Sequence, residues 1–159
     1  ESVSEDQHLG DQELRKLLDF VDYLREIQVQ DVERLTPFAG QADVFAMVDA
    51  VGHKDGSRSL QLIHQLLQAH EPAYVFAMLT RQFRLLLQAR EALDHRQDPQ
   101  QALQVHPFVA RKVTEQSANF QLPELERAFR RLLAIDLANK RGEADLEVAL
   151  ESYLAELTQ

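Results

Sequence analysis

The chain has 159 residues, 45% of them hydrophobic, and a formal net charge of −9. A chain of this size buries roughly 70% of the surface its unfolded form exposes, so it can build a core without covalent staples. It contains no Cys, which excludes disulfides and thiolate metal sites, and its acidity excludes a general polyanion binder, because phosphate neutralisation by Lys and Arg supplies most non-specific affinity.

No stretch approaches the roughly 20 apolar residues of a membrane span. The acidic start, Glu1 to Asp6, lacks the basic and apolar regions of a signal peptide. The expectation is a cytoplasmic protein without membrane association. No Met precedes Glu1, so the chain reads as an excised fragment.

Five Gly and five Pro punctuate the sequence, and the apolar residues between them recur three and four apart, the spacing of helices rather than strands. In the first segment Leu14, Leu17, Leu18, Val21 and Leu24 form one stripe before a break around Gln28; Pro37 and Gly40 close a short piece from Val29 to Leu35. Asp43 is the expected N-cap of a helix from Val44 to about His53, with Phe45, Val48 and Val51 or Gly52 on one side and Asp55-Gly56 ending it. Ser57 is the expected cap of the next helix, where Leu60, Ile63, His64 and Leu67 line up until His70.

Pro72 opens the longest helix, since its missing N–H costs nothing in a first turn, and the pattern runs to Leu93. Phe76, Leu79, Phe83 and Leu86 make one apolar row and Val75, Met78 and Leu85 another, which predicts a central helix with neighbours on both flanks. Its polar strip is Arg81, Arg84, Gln88 and Glu91. Residues His95 to Gln101 read as an exposed connection. Pro107 starts a helix through about Phe120, and after Leu122-Pro123 a further helix uses Leu125, Phe129 and Leu132, with Leu133 and Leu137 beside them. Gly142 caps its C-terminus. Within it Glu126 with Arg130 and Asp136 with Lys140 have the acid-first spacing of four that favours ion pairs. The last helix, capped by Asp145, carries Leu146, Ala149, Leu150, Tyr153 and Leu157. There is no internal repeat, and the fold class is all-α.

Charge is uneven along the chain. Residues 1–77 carry a net −8, residues 78–141 a net +4 and residues 142–159 a net −5. Arg81 and Arg84, Arg111 and Lys112, and Arg127, Arg130 and Arg131 are the residues from which a basic face would be built; solvated faces and ion pairs are the competing reading. His64 and His70, six apart, fall on different sides of a helix, so they make no ligand pair, and His64 reads as a boundary residue. His106, before Pro107, shapes a helix entrance. There is no HExxH, no GxxxxGK[ST] phosphate loop and no GxSxG elbow. No catalytic, cofactor-binding or metal-binding residues are assigned, and no cofactor is expected.

Three phrases, VFAMVDAV at 44 to 51, RQFRLLLQ at 81 to 88 and HPFVARK at 106 to 112, with LERAFRRLLAIDLANKRG before the acidic last helix, stand in an order and spacing that resembles one family. The chain is similar to the C-terminal part of the delta subunit of bacterial DNA polymerase III clamp loaders. The resemblance implies that residues 1–41, with LRKLLDFV and VQDVERL, are the end of a small helical lid, and residues 42–159 a helical collar. It further implies assembly rather than catalysis: collars of five related subunits pack into a ring, and the fragment is no enzyme although the parent holoenzyme is a DNA-directed DNA polymerase.

The expected partners are collars of the gamma or tau and delta-prime type subunits, with the sliding clamp reached only through an N-terminal module absent from this chain and DNA only through the complex. Ring contacts of that kind need two different faces. Candidate interface residues are Arg81, Arg84, Gln88, Phe108, Lys112, Arg127, Arg130 and Arg131, with burial in the core as the competing reading for Phe108. Two other functions compete with this reading: a helical nucleic-acid-binding module using the basic middle segment, and a metal-dependent hydrolase, for which the sequence offers no ligand set.

Overall fold

Seven helices in sequence make up the part of the chain that the structure, a computed structural model, describes, residues 41–159. They are α1 (Gln41–Gly52), α2 (Gly56–Ala69), α3 (Pro72–Asp94), α4 (Pro99–Leu103), α5 (Pro107–Ser117), α6 (Leu122–Lys140) and α7 (Leu146–Leu157). No strand occurs among the described residues. The stripe from Leu14 to Leu24, the piece from Val29 to Leu35 and the expected lid lie outside them.

The helices begin where local chemistry satisfies their first N–H groups. The Asp55 side chain accepts from the Arg58 N–H at 3.0 Å and starts α2, so the cap is Asp55 and not Ser57. Asp98 accepts from the Gln100 N–H at 2.9 Å and Asp145 from the Val148 N–H at 3.1 Å. Pro72, Pro99 and Pro107 each stand in a first turn. His106 does shape a helix entrance: its Nδ1 accepts from the Phe108 N–H at 3.2 Å. At α6 the Gln121 N–H donates to the Glu124 carboxylate at 2.8 Å. α1 starts at Gln41, which moves Asp43 from the expected cap into the first turn, where its charge suits the helix dipole.

Three helices end alike. After α1, α3 and α6 one residue turns left-handed, with φ of 58° at Lys54, 57° at Arg96 and 71° at Gly142. In each case that residue's N–H bonds back to the carbonyl three earlier and the next N–H to the carbonyl five earlier, as in Asp55 to Ala50, Gln97 to Ala92 and Glu143 to Ala138, the Schellman closure. Only at Gly142 does the residue type reveal it.

α3 is the central rod, packed against each of the other helices. Val75, Leu79, Phe83, Leu86 and Ala89 on it are fully buried, and the Phe83 ring meets Tyr153 of α7 edge-on, centroids 5.6 Å apart. Burying a side chain of this size contributes about 1.5–3 kcal/mol, so both apolar rows of α3 are used, as expected. α2 and α7 run antiparallel. A Cβ on Gly56, at the start of α2, would lie 2.9 Å from Thr158 Oγ1 just past the end of α7, while two turns on His64 Nε2 meets Glu151 Oε1 at 2.8 Å.

Three expectations are corrected by tertiary packing. The connection from His95 to Gln101 contains the start of α4, whose Pro99 and Leu103 are buried. α5 stops at Ser117 rather than Phe120. On α6, Leu125, Ala128, Leu132 and Ile135 face the core, whereas Leu133 and Leu137, expected beside that row, are 57% and 45% exposed.

Candidate functional site

Two places bring chemistry-bearing side chains together. The first is a polar node inside the bundle. Gln82 lies on the buried side of α3 between Leu79 and Leu86, and its Nε2 donates to Gln116 Oε1 of α5 at 2.7 Å. Gln116 Nε2 in turn donates to the Phe45 carbonyl and to Asp49 Oδ1, both at 2.8 Å, and Lys112 Nζ reaches Asp49 Oδ2 at 3.0 Å. Every amide and charge of the node has a partner, which is what a buried polar network needs if it is to fix one packing arrangement. Its role is to register α1, α3 and α5.

The second is a cleft of about 370 Å³ between the α1–α2 turn, α6 and α7. Lys54, Arg127, Arg131, Glu124 and Glu156 line it together with Phe120, Tyr153 and Leu157. Arg131 holds Glu156 in a two-pronged pair, Nε to Oε2 at 3.0 Å and Nη2 to Oε1 at 2.9 Å. These hydrogen bonds, and then the carboxylate's charge, hold the guanidinium above its ordinary pKa. Lys54 Nζ donates to the Leu157 carbonyl at 2.8 Å. Burial, and after it the Glu156 charge, pushes the Tyr153 phenol well above its usual value; Tyr74 is raised as well, by burial.

The eight candidate interface residues are scattered over three helices. Arg84 and Gln88 are exposed on α3 and Arg81 is half-buried there. Phe108 stands on α5, 54% exposed, with the Arg111 guanidinium 5.8 Å from its ring centroid, so the core reading of Phe108 is corrected: α5 turns Ala110 and Val113 inward instead. Lys112 is tied to Asp49 within the node. On α6 Arg130 pairs with Glu126 at 3.0 Å, and only Arg127 and Arg131 of the eight share the cleft.

The two anticipated ion pairs on α6 are present, Lys140 meeting Asp136 at 2.6 Å, and α3 adds Arg90 with Asp94 at 2.6 Å. With Lys112 on Asp49 and Arg131 on Glu156, ion pairs among the described residues engage five of the eleven cations of residues 78–141. No group of three His, Cys, Asp or Glu arranged to hold a metal occurs among the described residues, and no helix among them is long and apolar enough to cross a membrane.

The sequence reading missed Gln82, Gln116, Lys54 and Glu156. The first two were detectable, since Gln82 is spaced three from Leu79 and four from Leu86 and Gln116 three from Val113, which sets each on a buried row. The cleft was not, because its walls come from segments about seventy and a hundred residues apart in sequence, a separation no periodicity reports.

Residues 41–157 match the family model described as DNA polymerase III delta subunit, C-terminal domain. The chain is 30% identical over 150 residues to DNA polymerase III subunit delta of Bacillus subtilis, covering 92% of this chain and 43% of that protein. Among solved structures it is similar to the Bacillus subtilis DNA clamp loader delta protein, with a TM-score of 0.71 and 30% identity over 92% of this chain and 44% of the other. The chain thus spans less than half the length of these relatives. A family match over most of the chain and a shared helical architecture agree with each other, and the chain belongs to the DNA polymerase III delta subunit family, of which it carries the C-terminal domain.

Proposed function

We propose that this domain is a collar that holds a delta-type subunit in the clamp-loader assembly, docking against the collars of gamma or tau and delta-prime type subunits, while the clamp is gripped by a module outside this chain. The observation that carries the reading is the apolar stripe of Leu133 and Leu137, more than 40% exposed at a spacing of four on α6, with the exposed Phe108 on α5. A domain that closes its core around α3 yet leaves these side chains in water has a surface suited to a neighbouring helix, because residues four apart form the ridges by which helices pack. Arg84, Gln88 and Arg130 are exposed polar residues of the kind found at interface rims. In this reading the chain is an accessory piece and catalysis by the replicative polymerase takes place elsewhere.

The test uses the full-length subunit mixed with its partner subunits. Replacing Leu133 and Leu137 together by Glu should abolish co-purification while leaving helix content and melting temperature unchanged. The pair Arg81→Glu with Arg84→Glu should weaken it. Unchanged assembly with the leucine double variant would end the proposal.

A further inference from the structure

The cleft between the α1–α2 turn, α6 and α7 contains groups that no packing role uses up. Tyr153 is fully buried and lines the cleft, yet its hydroxyl has no hydrogen-bond partner. A buried O–H without an acceptor forfeits the bonds that water would give it, and such groups in native proteins call for an explanation. On the rim Arg127 is exposed and makes no ion pair among the described residues. With Lys54 and Arg131 it sets three cations against two carboxylates, in a chain of net charge −9. Both carboxylates are already engaged, Glu124 by the Gln121 N–H and Glu156 by Arg131.

The geometry points to a binding site for an acidic peptide side chain, an Asp or Glu carboxylate of a partner protein seated against Arg127 and Arg131 with a neighbouring apolar side chain over Phe120 and Leu157. A carboxylate suits a guanidinium because two parallel N–H bonds meet its two oxygens. A phosphate suits the cleft less well, because it brings up to two charges toward Glu124 and Glu156, which line the same space. At about 370 Å³ the space matches the small end of ligand pockets and takes one or two side chains rather than a helix. When the incoming carboxylate takes Arg131, Glu156 is released; it stands three residues after Tyr153 on α7 and lines the same cleft, which places it to become the acceptor that the hydroxyl lacks. Binding thus completes the hydrogen bonding of Tyr153.

This deepens the docking reading, since Arg127 and Arg131 belong to the candidate surface, and it is tested apart from assembly. The isotope-labelled chain is titrated with the blocked tripeptide acetyl-Phe-Glu-Leu-amide and with its glutamine twin, to about 10 mM, the range that one charged anchor supports. Saturable amide shifts are expected on residues 124–131 and 153–157, and roughly tenfold weaker binding for the glutamine peptide and for Arg127→Ala. No saturable shift, equal binding of the two peptides, or binding that survives Arg127→Ala would overturn the proposal. Tyr153→Phe should weaken the peptide severalfold and leave the free chain melting no lower than the parent; a lower melting point would mean the hydroxyl is already bonded, and the open-donor argument would fall. Loss of assembly in the Leu133 and Leu137 variant with intact peptide binding would separate the two surfaces.

Discussion

Gln82 donates its side-chain amide to Gln116 at 2.7 Å in a site where both residues are buried, and through Gln116 the bond extends to the Phe45 carbonyl and Asp49. Truncating one partner strands the others. Gln116→Ala is expected to cost roughly 2–4 kcal/mol in urea unfolding, the sum of a small cavity and unsatisfied groups. The double variant Gln82→Met with Gln116→Met should cost less than the two single changes added, by about 1–2 kcal/mol, because each single change leaves a buried amide that the other removes. Additive costs would show that the node carries no coupling.

Tyr153 predicts a specific alkaline weakness. Its folded pKa lies well above the ordinary 10.0 because burial, and then Glu156, disfavours the phenolate. A raised folded pKa means that the stabilisation is fully present below pH 10 and is lost as the pH rises past the unfolded value, at up to about 1.4 kcal/mol per pH unit. The urea midpoint should therefore fall more steeply above pH 10 in the parent chain than in Tyr153→Phe. Parallel curves would refute the burial argument.

The start of α2 separates two serviceable caps. Asp55→Ala should destabilise by about 1 kcal/mol, since it removes the acceptor of the Arg58 N–H. Ser57→Ala, an exposed position that makes no cap bond, should stay within about 0.5 kcal/mol. Thermal unfolding of the pair checks both at once.

The left-handed helix ends respond in opposite directions. Arg96 adopts φ of 57° in an exposed turn, and an L side chain there is strained, so Arg96→Gly should gain about 0.5–1 kcal/mol. Gly142 has the same geometry with open space around its Cβ position, so Gly142→Ala should lose about 1 kcal/mol for conformational reasons alone. Lys54→Gly should come out near zero, because relief of strain is offset by loss of the bond to the Leu157 carbonyl. Denaturant midpoints of the three variants, read together, test the common cause.

Legibility followed the range of the interaction. The central place of α3 could be read because two apolar rows on one helix need two sets of neighbours, and the Glu126–Arg130 and Asp136–Lys140 pairs because four residues span one turn. The cap at Asp55 was missed by two residues, since Asp and Ser both serve and only the backbone path chooses between them. Phe108 was ambiguous for a similar reason: α5 can turn either Phe108 or Ala110 inward, and the choice lies in what α1 and α3 present.

The sequence by itself determined six of the seven described helices, all but the short α4, with their order, the central rod and the family, because these depend on spacing and residue type within a few turns and on phrases in a fixed order. Tertiary structure alone decided which apolar side chains stay in water, Leu133 and Leu137 rather than Leu132, and which charged groups meet across the fold, as Arg131 meets Glu156 and Lys112 meets Asp49. The reason is physical: periodicity reports the width of an apolar face, while the angle at which neighbouring helices cross determines how much of that face is covered.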